Sequence, residues 1–207
     1  MDKRGSTVFV IDDDESVLGA LRRLLEAHQL TVRTWSSTQS FLDEHDPSEP
    51  GCVLTDLAMP GMNGFDLQEA LGHVDSQRPV IFLTGHGDIP ASVRAMKAGA
   101  VGFLQKPVQP ELLLDEIRTA LEKDAAVRET GRHVAALTTR LRSLTPRELD
   151  VLELIVAGML TKQIATELGA AEKTIKVHRG RVMHKMGART VAELVAFAAD
   201  AGIRRNS

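Results

Sequence analysis

Five short apolar, β-branched runs alternate with five amphipathic stretches over the first 122 residues, and this alternation leaves the chain very few folds. The runs are Thr7-Val8-Phe9-Val10-Ile11, residues 30–34, Cys52-Val53-Leu54-Thr55, Val80-Ile81-Phe82-Leu83 and Val101-Gly102-Phe103-Leu104. Between them Val17, Leu18, Leu21, Leu24 and Leu25 recur at helical spacing over 15–27. Further helical patterns cover 37–45, the stretch holding Phe65, Leu67, Ala70 and Leu71, then 88–97 and 110–122. An unbroken apolar run reads as a strand buried on both faces, because a half-exposed strand alternates polar and apolar positions. Such strands need helices on both faces, each helix joining one parallel strand to the next. The expected architecture is a doubly wound α/β unit with a five-stranded parallel sheet. Ligands of such sheets sit beyond the carboxyl ends of the strands, where the strand order reverses.

The strand signals stop at residue 123. Residues 123–142 are polar and read as a helical linker. Val127, Val134, Leu141 and Leu137, Leu144 follow heptad spacing, so a dimerising seam is the alternative, although Gly131 interrupts it. Beyond it lie four compact helices, near 146–157, 161–168, 172–187 and 190–201. Gly158, Gly169, Gly187 and Gly202 each stand where one of them should end. The expected organisation is thus 1–122, a linker over 123–142, and a small all-α unit over 143–207. Charge divides the same way. The net charge of −3 conceals 10 basic and 19 acidic residues in 1–122, against 15 basic and 9 acidic in 123–207. A basic second half raises the prospect of nucleic acid. Cys52 is the only cysteine, which excludes an intramolecular disulfide and a cysteine-built zinc site and suits a reducing compartment. No stretch approaches the roughly 18–20 apolar residues of a membrane span. The opening Met1-Asp2-Lys3-Arg4-Gly5 lacks the apolar core of a signal peptide, so the expected location is the cytoplasm, away from membranes.

Chemistry concentrates at the strand ends. Asp12 and Asp13 follow the first run and Asp56 the third, so neighbouring first and third strands would project all three into one crevice. Clustered carboxylates are costly unless a cation neutralises them, and an all-oxygen site suits magnesium. Thr84 ends the fourth run and Lys106 follows the fifth; a hydroxyl and an ammonium can each hold a phosphoryl oxygen. Together these groups supply what phosphoryl transfer onto Asp56 needs. Asp13 or Asp14 could equally cap the helix starting near Glu15.

Residues 7–120 resemble the receiver domain of two-component response regulators, the flavodoxin-like fold among doubly wound sheets. The matching stretches are Val10-Ile11-Asp12-Asp13-Asp14, Thr55 to Gly64, Leu83-Thr84-Gly85-His86-Gly87-Asp88 and Phe103-Leu104-Gln105-Lys106-Pro107. The run Thr84 to Asp88, with Ala95-Met96-Lys97-Ala98-Gly99-Ala100, looks like the FixJ branch. The resemblance implies that Asp56 accepts a phosphoryl group from a sensor histidine kinase. It implies that Asp13 and Asp56 bind Mg2+ with the Ala58 backbone carbonyl, and that Asp12 acts through water. It further implies that Lys106 pairs with the phosphoryl group beside a cis peptide at Pro107. Thr84 and Phe103 are then switch residues, and 88–97, 101–104 and 110–122 form the surface for a homodimer on phosphorylation. A magnesium-dependent phosphatase with an aspartyl-phosphate intermediate is the enzyme alternative, but such enzymes carry an acid-base Asp where Ala58 stands. A receiver acting only through a protein partner is a third reading, and the basic second half opposes it.

In that half, residues 172–189 hold six Lys and Arg against Glu172 alone. Ile175, Val182 and Met186 form an apolar stripe, leaving a basic face that fits the DNA major groove. Leu144-Thr145-Pro146-Arg147-Glu148 carries a capping box with proline at the first helical position. Residues 143–200 resemble the LuxR-type helix-turn-helix, with 172–187 as recognition helix and double-stranded DNA as partner. By that resemblance Lys162, Thr174, Lys176, Val177, His178, Arg179 and Arg181 face DNA. Two departures stand out: Ala171 replaces the usual Ser cap, costing about 1 kcal/mol, and Gly180 sits mid-helix, costing up to about 1 kcal/mol against Ala. The sum is a phosphorylation-controlled transcriptional regulator rather than an enzyme.

Overall fold

The computed structural model describes residues 5–73, 77–85 and 89–203. Residues 1–4, 74–76, His86-Gly87-Asp88 and the last four residues therefore lie outside the described part, with the portions of the expected N-terminal, switch-loop and 88–97 segments that they hold.

The first unit places β1 (Thr7–Ile11), β2 (Thr31–Trp35), β3 (Gly51–Asp56), β4 (Val80–Thr84) and β5 (Gly102–Gln105) in one parallel sheet. The strand order is β2-β1-β3-β4-β5, the flavodoxin-like order, which reverses between β1 and β3. Alternation along each strand sends side chains to opposite faces. Val8 and Val10 join Leu54, Ile81 and Leu83 in a core shared with α1 (Glu15–Ala27) and the first turns of α5 (Pro110–Arg142). Phe9 and Ile11 join Val53 and Phe82 on the other face. There they pack with α2 (Thr38–Glu44), α3 (Gly64–His73) and α4 (Ile89–Lys97). Cys52 is fully buried, and burial pushes its thiol up to about 12, so it is inert packing.

The helix expected over 110–122 and the helical linker expected over 123–142 form one element. α5 runs unbroken for 33 residues, and the division between the two compact units falls inside it, between Arg128 and Glu129. Local contacts explain why the first unit reaches 128. The buried Asp124 carboxylate accepts from the Gly51 N–H (2.9 Å) and from Arg128 Nε (2.8 Å). Arg128 also donates to the carbonyls of Pro47, Ser48 and Glu49. Arg78, buried beside it, donates to the carbonyls of Asp46 and Glu49. Gly51 is required here, because a Cβ would lie 1.9 Å from the Thr7 carbonyl oxygen.

The second unit packs α6 (Pro146–Val156), α7 (Thr161–Glu167), α8 (Glu172–Met186) and α9 (Val191–Asp200) around Val151, Leu152, Ile155, Ile164, Ile175, Val182, Met186 and Leu194. The capping box at α6 is present, with Thr145 Oγ1 accepting from the Glu148 N–H and Glu148 Oε2 from the Thr145 N–H. Gly158, Gly169, Gly187 and Gly202 all have positive φ, as helix ends of this kind require. No described helix is long and apolar enough to cross a membrane.

Candidate functional site

The register of the sheet assembles the first site. Ile11 pairs with Thr55, so Asp12 emerges from β1 beside Asp56, the last residue of β3. Both carboxylates are buried. Lys106, one residue past β5, reaches between them, with Nζ 2.5 Å from Asp12 Oδ2 and 2.6 Å from Asp56 Oδ1. Burial opposes the ammonium charge, but hydrogen bonds to the two carboxylates outweigh it and hold the Lys106 pKa above the ordinary lysine value. The other oxygens are also held. Asp56 Oδ2 accepts from the Ala58 N–H at 2.7 Å, and Asp12 Oδ1 from the Asp14 N–H at 3.0 Å.

Neighbouring residues keep these groups in place. Asp14 is the cap of α1, accepting from Ser16 and Val17 backbone N–H groups, which leaves Asp13 exposed at the rim. Asn63 Oδ1 accepts from the Phe65 and Asp66 N–H groups, while Asp66 accepts from the Asn63 N–H. This reciprocal cap starts α3 directly after the Asp56 loop. Gly64 then packs so tightly that a Cβ would stand 2.6 Å from the Asp56 carbonyl oxygen. The sequence signal for this cap is a polar residue at 63 followed by Asp three positions on.

Thr84 is buried at the end of β4, and its carbonyl accepts from the Lys106 N–H at 2.7 Å. The Lys106–Pro107 peptide is cis, as the resemblance implies. Phe103 is half-buried on β5, its ring 6.3 Å from Phe82; Phe82 in turn lies 5.4 Å from Phe65, over which the Arg94 guanidinium sits at 4.3 Å. Among the described residues no three ligating side chains are gathered closely enough to enclose a metal ion. The donors that the receiver resemblance implies are Asp12, Asp13, Asp56 and the Ala58 carbonyl. They are all hard oxygens, which fits magnesium, and Lys106 offsets one of the two buried negative charges and leaves the other for a cation.

The second site is the outer face of α8. Ile175, Val182 and Met186 are buried, and Lys173, Thr174, Lys176, Val177, Arg181 and His184 are exposed. Lys162 is exposed at the start of α7. His178 and Arg179 are half-buried, and the buried Nδ1 of His178 has no hydrogen-bond partner among the described residues. Ala171 is the α8 cap and supplies no side-chain bond. Lys185 does not join the basic face. Its Nζ donates to Glu148 Oε2 at 2.6 Å and to the Ser143 carbonyl at 2.9 Å.

The comparisons bear on the two units. The family model of the response regulator receiver domain matches residues 8–118, and that of bacterial regulatory proteins of the luxR family matches 142–198. Nodulation protein W of Bradyrhizobium diazoefficiens is 43% identical over 199 residues, covering 96% of this chain and 88% of that one. The transcriptional regulatory protein FixJ of Azorhizobium caulinodans is 41% identical over 95% of this chain and 93% of its own. Among solved structures, the response regulator StyR is 45% identical with a TM-score of 0.87, covering 94% of this chain and 98% of that one. The chain therefore belongs to the response regulators, as a receiver domain joined to a LuxR-type DNA-binding domain in a family of transcriptional regulators.

Proposed function

We propose that Asp56 is the phosphoacceptor through which a sensor histidine kinase controls DNA binding by α8. The observation that carries this reading is the Lys106 ammonium held between the buried Asp12 and Asp56 at the reversal of strand order. An Asp56 carboxylate oxygen attacks phosphorus, the bond from phosphorus to the kinase imidazole breaks, and an acyl phosphate forms. The positive charge of Lys106 then faces a phosphoryl oxygen rather than a carboxylate. A magnesium ion held by Asp13, Asp56 and the Ala58 carbonyl, with Asp12 through water, would screen the phosphoryl charge. Thr84 follows the new phosphoryl oxygen, and Phe103 moves with it.

The output is a homodimer. Ile89, Val93 and Met96 recur along α4 at helical spacing, exposed by 79%, 46% and 51%, and Leu112 of α5 is exposed by 49%. Exposed apolar side chains in such a row favour a protein partner. Lys162, Thr174, Lys176, Val177, Arg179 and Arg181 face DNA, and half-buried His178 supports the helix. The work takes place in the cytoplasm, and the chain acts as a regulator rather than on a turnover substrate. Incubation with a small acyl phosphate and magnesium should label the protein with one phosphoryl group, and Asp56→Asn should abolish the label. Labelling that persists in Asp56→Asn overturns the assignment.

A further inference from the structure

Gly180 lies at the middle of α8, the ninth of its fifteen residues, and nothing among the described residues explains it. Its φ is not positive, so no left-handed turn demands glycine. A Cβ built there meets nothing within 4 Å, so no packing demands it either. Glycine is nonetheless among the least favourable residues for a helix interior, since it has the most backbone freedom to lose. The position is informative. At about 100° per residue, Lys173, Val177, Gly180 and His184 fall on one line opposite the buried Ile175, Val182 and Met186. Gly180 is therefore at the centre of the outward face, one turn beyond Lys176 and Val177.

We propose that Gly180 is a specificity-determining position where the α8 backbone comes closest to the floor of the DNA major groove. The missing Cβ lets the helix settle deeper than any side chain would allow. That depth brings the shorter Val177 and the Lys176 ammonium against base edges, while Arg181 reaches phosphate. A methyl group at residue 180 would stand between helix and base pair and lift both neighbours away. The inference rests on α8 being the helix that enters the groove.

The test uses the full chain, a duplex recovered from a random pool by binding to the wild-type protein, and an unrelated duplex of equal length. Gly180→Ala should raise the thermal midpoint of the protein by a few degrees. It should also weaken binding to the recovered duplex at least tenfold, while affinity for the unrelated duplex stays within twofold. Lys176→Ala serves as the control for the groove assignment. If Lys176→Ala loses sequence-specific binding and Gly180→Ala keeps it, the close-approach role is overturned alone. If neither variant changes binding to the recovered duplex, the assignment of α8 to the groove falls with it. A lowered thermal midpoint for Gly180→Ala would reveal an internal role for the glycine and overturn the proposal as well.

Discussion

Lys185 lies within the most basic segment of the chain, yet its ammonium is turned onto the buried Glu148 carboxylate and the Ser143 carbonyl. Counting charge along 172–189 includes it in the basic excess, because the partner that claims it stands 37 positions earlier in the sequence. Asp12, Asp56 and Lys106 are legible for the opposite reason: each ends or directly follows a strand, and the carboxyl ends of parallel strands converge whatever the loops do. The Glu148–Lys185 pair has a consequence for acid stability. The hydrogen bond from Lys185, followed by that from the Thr145 N–H, holds the Glu148 carboxyl at about 2 against an ordinary 4.5. A carboxyl whose pKa is depressed by folding adds stability above its unfolded value and loses it as pH falls toward its folded one. Glu148→Gln should therefore melt well below wild type above pH 4.5, and the gap should close between pH 4.5 and about 2. Thermal midpoints across that range check it, and a gap independent of pH would mean that the pair adds nothing to stability.

At the scale of elements, most helix boundaries were legible because local chemistry sets them. Thr145 and Glu148 start α6 as a capping box does, and glycines with positive φ close α6, α7, α8 and α9. Helix over 123–142 was legible as a linker, but its continuity with 110–122 and the reach of the first unit to 128 were not, since the side chains that anchor this stretch contact residues more than 70 positions away. Gly131 costs only about 1 kcal/mol within such a helix, too little to end it. The anchor is Asp124, which joins the Gly51 N–H to the Arg128 guanidinium. Removing one member of a buried pair leaves the other charge uncompensated, at a cost of about 3 kcal/mol for a pair as partly exposed as this one. Asp124→Ala should thus destabilise the first unit by about 3 kcal/mol. Asp124→Asn, which keeps an acceptor oxygen for Gly51, should lose about 1 kcal/mol. Trp35, the only tryptophan and buried in that unit, reports the transition in denaturant by its fluorescence. A loss below about 1 kcal/mol in Asp124→Ala would show that apolar packing of α5 suffices without the anchor.

Across the whole molecule, the charge split corresponds to two bodies with separate cores, a receiver that handles a phosphoryl group and a LuxR-type unit that handles DNA. The acidic excess of the first half is met partly by Lys106 between Asp12 and Asp56. The basic excess of the second half gathers on α8, less Lys185. A single recognition helix reads only a few base pairs, so pairing two copies through the receiver is what would make a site unique. Pairing has two measurable signatures. Each phosphate contacted lowers the logarithm of the binding constant by about 0.9 per decade of salt, so two copies should show about twice the slope of one. Chain treated with an acyl phosphate should accordingly bind a duplex bearing two half-sites with about double the salt slope of Asp56→Asn. The second signature is rotational. Half-sites one helical turn apart lie on the same face of the duplex, and inserting about 5 base pairs between them turns one to the far side. The insertion should abolish the tight binding of the phosphorylated chain and leave Asp56→Asn unaffected. Equal slopes, or tight binding that survives the insertion, would mean that phosphorylation of Asp56 acts on a single copy and not by bringing two DNA-binding units together.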